Sequence, residues 1–138
     1  IDVGTNQLAW KLRQDPRVVS MERTNMRDVT RVEIAEPVDL VVCDASFIGL
    51  RTVLPAALAL AAPGAHLVAL IKPQFEVGRG RVGKGGIVRD PELHREVCDT
   101  IVGWLGEQPG WRVLGVTDSP IEGADGNREF LVAAQYRP

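Results

Sequence analysis

Asp44, Lys72 and Glu129 are the residues of this chain whose types and placement best suit proton chemistry at a hydroxyl group. Asp44 follows the apolar run Val38–Cys43, Lys72 follows His66–Ile71, and Glu129 opens the run Glu129–Ala134. A lysine between two carboxylates can orient a hydroxyl and help remove its proton. The carboxylates favour the ammonium and desolvation favours the free amine, so burial decides whether such a lysine works as a base. A structural ion pair beside a strand-end lysine is the plainer account of the same three residues.

The glycine-rich segment between them is the loudest motif. Gly78-Arg79-Gly80-Arg81-Val82-Gly83 matches G-x-G-x-x-G, and Gly78 to Lys84 matches most of a P-loop. Gly85 stands where a P-loop needs a hydroxyl to hold Mg²⁺. Pro73-Gln74-Phe75-Glu76 separates the glycines from the preceding strand, so neither phosphate cradle is expected. Charge is more telling: Lys72, Arg79, Arg81, Lys84 and Arg89 face a single acid, Glu76. A mobile basic loop can follow a phosphate backbone; a solvated flexible loop has the same composition.

Asp2 lies between a predicted strand and Gly4, where nucleotide-binding sheets carry an acid for ribose hydroxyls. Asn25 could meet an adenine edge. A turn or capping role explains either residue more simply. His66 and His94 lack partners at metal-ligand spacing, so no metal site is assigned. Ser46 and Ser119 lack the G-x-S-x-G context of a hydrolase. Trp10, Trp104 and Trp111 are expected to be core or cover residues.

The elements that position these groups follow from periodicity. The 138 residues, 45% hydrophobic and 25% charged with net charge −2, suit one globular domain and exclude a uniformly basic nucleic-acid coat. Ile1–Val3 and Val18–Met21 read as strands, with a short helix from Thr5 or Asn6 to Arg13 between them. Val38–Cys43 and His66–Ile71 read as strands buried on both faces. Between them Leu50, Val53, Leu54, Ala57, Leu58 and Ala61 make a helix face that Pro63-Gly64 closes. Asp90-Pro91 starts a helix with an N-cap and a proline at its first position, and Pro109-Gly110 stops it. Arg112–Val116 and Glu129–Ala134 are the last strands, and the loop joining them is too long for a tight hairpin. Strands alternating with helices predict an α/β fold with a mostly parallel sheet, whose ligands bind at the carboxyl ends of the strands. No run of residues is long and apolar enough to span a membrane as a helix. Cys43 and Cys98 are expected to be buried free thiols in a reducing, cytoplasmic setting.

Five segments occur in order along the chain: Asp2-Val3-Gly4-Thr5-Asn6-Gln7-Leu8, Glu22-Arg23-Thr24-Asn25, Asp44-Ala45-Ser46-Phe47-Ile48, Lys72-Pro73-Gln74-Phe75-Glu76 and Gly126-Asn127-Arg128-Glu129-Phe130. Together they resemble the TlyA (haemolysin A-type) branch of the FtsJ-like RNA 2′-O-ribose methyltransferases. The resemblance implies a Rossmann-like fold that uses S-adenosylmethionine to methylate a ribose 2′-hydroxyl, in this branch on cytidines of ribosomal RNA. It places the family's catalytic Asp on Asp44, its second Lys on Lys72 and its Glu on Glu129. It places cofactor binding on Asp2, Asn25, Met26 and Asp44; the charge of the basic loop assigns Arg79, Arg81, Lys84 and Arg89 to RNA phosphates. Ribosomal RNA or ribosomal subunits are the implied partners, no membrane is, and self-association is left open.

Departures from the family pattern set further expectations. Its first catalytic Lys, first strand, cofactor loop and N-terminal S4-like RNA-binding domain have no counterpart in these residues. The chain opens at Ile1 inside a predicted strand, and is read as an N-terminally truncated piece of the methyltransferase domain. On that reading the isolated segment is inactive, binds S-adenosylmethionine weakly, and leaves strand edges unpaired. The rival readings are an RNA-binding segment without catalysis, a nucleotide-binding P-loop protein, and a haemolysin. The last is disfavoured because no apolar span or basic amphipathic helix is evident.

Overall fold

The apolar runs become a four-stranded sheet in the computed structural model, which describes all 138 residues. Val38–Cys43 (β1), Ala61–Ile71 (β2), Trp111–Asp118 (β3) and Phe130–Tyr136 (β4) are ordered β1-β2-β4-β3. β1 and β2 run parallel, while β4 is antiparallel to both β2 and β3. The sheet is therefore mixed, not mostly parallel. The reason lies in the connections. Leu50–Leu58 (α2) carries the chain from β1 back to a parallel β2, and Pro91–Glu107 (α4) does the same between β2 and β3. The link from β3 to β4 holds only a 3-10 turn at Ala124–Gly126, and without a crossover helix the chain can only reverse.

Two other elements differ from the sequence reading. Ile1–Val3 and Val18–Met21 are not strands. They lie side by side, with Asp2 N donating to Met21 O and Thr24 N to Asp2 O, both at 3.0 Å, but they join no ladder. The helix expected from Thr5 or Asn6 shortens to Trp10–Arg13 (α1): Asn6 takes a left-handed φ of 58°, and the extended backbone of Ala9 (ψ 139°) delays the first turn to Trp10. Trp10 is exposed on α1 rather than part of the core, whereas Trp111 is buried and Trp104 packs against the core. α2 stops at Leu58 instead of Ala61. Pro63 and Gly64 fall inside β2, where five residues of β2 pass two of β1 between the Val38–Ala61 and Leu40–His66 pairs.

The core lies on one face of the sheet. Ala65, Leu67, Ala69 and Ile71 of β2 and Val132 and Ala134 of β4 meet Leu54 of α2 and Ile101 and Leu105 of α4. The expectation of strands buried on both faces fails here: Leu40, Val42 and Val68 are exposed on the other face. α4 begins as the sequence indicates, with Asp90 accepting from Glu92 N at 2.9 Å and Pro91 in the first turn. Leu105 has no exposed surface. Leu105→Ala is expected to cost about 2–5 kcal/mol of stability. Urea unfolding checks this, through a lower midpoint at unchanged slope.

Candidate active site

Strand pairing brings the chemistry to one rim. Cys43 pairs with Ala69 in parallel, so Asp44 and Lys72 both leave the carboxyl ends of neighbouring strands. Ile71 pairs with Phe130 in the antiparallel ladder, so Lys72 and Glu129 are the next facing residues beyond it. Lys72 Nζ sits 2.5 Å from Asp44 Oδ1 and donates to Ser46 Oγ at 3.3 Å. The two ends of this pair differ: the Lys72 side chain is 10% exposed and that of Asp44 71%. A buried cation is thus reached from solvent past an open carboxylate.

Glu129 does not complete a three-membered cluster in this conformation. It makes no ion pair with Lys72. Its Oε2 accepts instead from Gln74 Nε2 at 3.0 Å, and the residue is 8% exposed. Gly123 permits that placement, because a Cβ there would overlap Oε2 and stand 2.6 Å from Cδ. Asn127, 2% exposed, fastens the adjoining loops. Its Oδ1 accepts from Val88 N, and its Nδ2 donates to Gly86 O and Ala124 O. The basic loop is therefore bolted to the segment that leads into Glu129.

Within that loop the four basic residues are not equivalent. Arg81 is engaged by Glu96 of α4 through two bonds, 3.0 and 2.6 Å. Arg89 Nη1 donates to Lys84 O at 3.1 Å. Arg79 and Lys84 are exposed and make no ion pair. The sequence gives no sign of this division, since the partner of Arg81 lies fifteen residues away on another element.

Of the residues assigned to the cofactor from the sequence, Met26 borders β1, whereas Asp2 and Asn25 are held in local turns of the segment before it. Asp2 Oδ1 accepts from Gly4 N at 2.9 Å, and the Thr24 N bond to Asp2 O holds that turn beside Asn25. Asn25 Oδ1 accepts from Arg27 N at 3.0 Å and caps the short 3-10 helix Met26–Asp28. Met26 packs against the core and, with Ile1, Cys43 and Asp44, lines an apolar groove of about 320 Å³. Asp2 and Asn25 lie outside the lining of that groove. The thiols are only partly buried and form no disulfide. Burial pushes the Cys98 thiol up to about 11 and raises that of Cys43, so neither is a nucleophile at neutral pH.

Sequence reasoning missed Phe47. Its φ is 64°, a region that bulky side chains avoid, and its ring is 88% exposed. The ring lies 5.0 Å from that of Phe75, so an aromatic pair stands over the loops that carry Asp44 and Lys72. Backbone strain of this kind collects at functional sites. The only sequence signal was an aromatic two residues past a strand-end acid's neighbour, in a loop where nothing requires one.

A sheet with a reversed strand between its last two neighbours, and acid and lysine at adjacent strand ends, defines a methyltransferase fold with a mixed sheet. Residues 1–136 match the FtsJ-like methyltransferases, and the chain belongs to that family. It is 52% identical over 131 residues to the 16S/23S rRNA (cytidine-2′-O)-methyltransferase TlyA of Mycobacterium tuberculosis, covering 95% of this chain and 48% of that protein. It is 39% identical over 132 residues to Hemolysin A of Brachyspira hyodysenteriae, covering 95% of this chain and 55% of that protein. A crystal structure from Lactococcus lactis superposes with a TM-score of 0.91 at 43% identity, over 98% of this chain and 64% of that one. The chain spans about half the length of the curated relatives it matches.

Proposed function

We propose that the protein carrying this chain methylates a ribose 2′-hydroxyl of ribosomal RNA, on cytidine, with S-adenosylmethionine as the methyl donor. The observation that carries this reading is the Lys72–Asp44 pair at adjacent strand ends, buried on the lysine side and open on the carboxylate side. When bound, S-adenosylmethionine supplies a methyl group on a positively charged sulfur. Lys72 sets its charge against the 2′-oxygen and stabilises the negative charge that develops as the hydroxyl proton leaves. Asp44 holds Lys72 in place and, being open to water, passes the proton to solvent. Lys72 and Asp44 would hold the 2′-oxygen in line with that methyl group, whose sulfur would leave as a neutral thioether, so catalysis would rest mainly on alignment. Glu129, fixed by Gln74, orients the sugar or Lys72 from the facing strand.

In this reading Asp2 offers a free carboxylate oxygen to the ribose diol of the donor and Asn25 its amide nitrogen to the adenine edge, while Met26 and Asp44 line a separate apolar groove. On the RNA side, Phe47 and Phe75 present an aromatic face on which a base can stack. Arg79, Lys84 and Arg89, exposed and without carboxylate partners, would meet the phosphates. This reading places the protein on ribosomal RNA in the cytoplasm; no helix is long and apolar enough to cross a membrane.

Arg79→Ala and Lys84→Ala are expected each to lower the slope of log affinity against log salt by about 1, as loss of one phosphate contact does. Arg81→Ala should leave that slope nearly unchanged, because its charge is spent on Glu96. RNA titrations at several salt concentrations separate the three variants. The function itself is tested by mapping ribose methylation on ribosomal RNA from cells with and without the gene. A cytidine methylated only when the gene is present supports the reading, and identical maps overturn it.

A further inference from the structure

We propose that Glu76 is a positioning residue that sets the approach of Lys72 to Asp44; this rests on the reading of Lys72 and Asp44 given above. Asp44 lies on the loop that runs from β1 into α2, and Lys72 on the turn that runs from β2 into the single helical turn Pro73–Glu76 (α3). Strand pairing alone does not fix these loops, since the β1–β2 ladder ends at Cys43 and Ala69. Four links join them beyond the ladder. Two are made by Lys72 itself, to Asp44 and Ser46, and one is the exposed Phe47–Phe75 contact. RNA and the reacting oxygen must disturb all three. The fourth is independent of the chemistry: Glu76 Oε1 accepts from Leu50 N at 2.7 Å, across 26 residues of sequence.

That bond caps α2, whose own N-cap residue is Gly49 and offers no side chain. A serine, asparagine or aspartate at position 49 is the usual local solution to an open helix start. The backbone there is extended, at φ −80° and ψ 153°, and would accept one. Glu76 crowds a side chain there, because a Cβ on Gly49 would stand 3.1 Å from Oε2. Burial raises the Glu76 carboxyl above its ordinary value, with the Leu50 N–H and Arg51 pulling the other way. A residue at position 49 would cap the Arg51 or Thr52 N–H, so the Leu50 N–H is left to a half-buried acid on a distant turn. A local cap would stabilise α2 but would not tie the Asp44 loop to the Lys72 turn.

The test separates those two effects. In the protein carrying this chain, Glu76→Ala should lower Tm and reduce kcat about 10–100-fold, the scale of a misalignment near 1 Å, with KM for S-adenosylmethionine within about 2-fold. Glu76→Gln keeps an oxygen acceptor for Leu50 N and should hold kcat within about 3-fold of wild type. The combination Glu76→Ala with Gly49→Asn supplies a local cap to the first turn of α2 through the Arg51 or Thr52 N–H, without any tie to the Lys72 turn. It should recover Tm but leave kcat low. Recovery of both would make Glu76 a cap and nothing more, and would overturn the proposal. Crystal structures of the same variants read the Lys72–Asp44 separation without reference to any reaction. The pair should part in the combined variant, and an unchanged pair overturns the proposal. A wild-type protein without methyl transfer would count against the proposed function and leave the structures to judge Glu76.

Discussion

Replacing Lys72 by alanine is expected to lower methyl transfer by about 10²–10³-fold, the range reached when a group that stabilises charge developing in the transition state is removed. Affinity for S-adenosylmethionine should stay within about 3-fold, since Lys72 lies outside the groove lined by Met26 and Asp44. The fold should also survive, for a reason visible in the asymmetry of the pair. Lys72→Ala leaves behind Asp44, a carboxylate already open to water. Asp44→Ala leaves behind a buried cation whose other close partner is the Ser46 hydroxyl. An unpaired buried charge costs far more than an unpaired exposed one. Asp44→Ala should therefore lose both activity and thermal stability, and Lys72→Ala activity alone. Thermal unfolding beside calorimetric titration of the cofactor separates the two variants. Equal loss of stability in both would contradict the geometry described.

Gly123→Ala is expected to lower kcat by about 10²-fold, although residue 123 carries no chemistry. Its φ of −78° and ψ of −168° are open to any residue, so no backbone strain enters. The effect comes from the Glu129 carboxylate, which occupies the space of the missing Cβ and would have to leave its bond with Gln74. Glu129→Ala should fall by a similar factor. The double variant should fall little further than either single one, because both remove the same group from the same place. Additive losses, or a Gly123→Ala protein with normal turnover, would show that Glu129 does not work from the position described.

Much of the architecture was legible because periodicity reports which residues seek the core. β1, α2, α4, β3 and β4 all fall on runs that the sequence marks, and Asp90-Pro91 starts α4 as written. Strand direction was less accessible. Alternating helices and strands suggested a parallel sheet, but the absence of a helix between β3 and β4 already carried the correction, since a parallel return needs a crossover. Ile1–Val3 and Val18–Met21 have strand composition but form no ladder, which shows that apolar composition without pairing partners does not make a strand. At the site, Asp44 and Lys72 could be placed together from their positions at strand ends. The engagement of Glu129 by Gln74, of Arg81 by Glu96, and of Leu50 by Glu76 could not. Each joins residues remote in sequence, and spacing says nothing about which of several neighbouring partners a side chain will choose.

Whether the Lys72–Asp44 rim serves methyl transfer to a ribose oxygen is tested by nucleoside mass spectrometry of ribosomal RNA incubated with S-adenosylmethionine and either the wild-type protein or Lys72→Ala. The expected result is 2′-O-methylcytidine with the wild type and none above background with Lys72→Ala at equal cofactor binding. Methylation at a base atom, or undiminished 2′-O-methylation by Lys72→Ala, would contradict it.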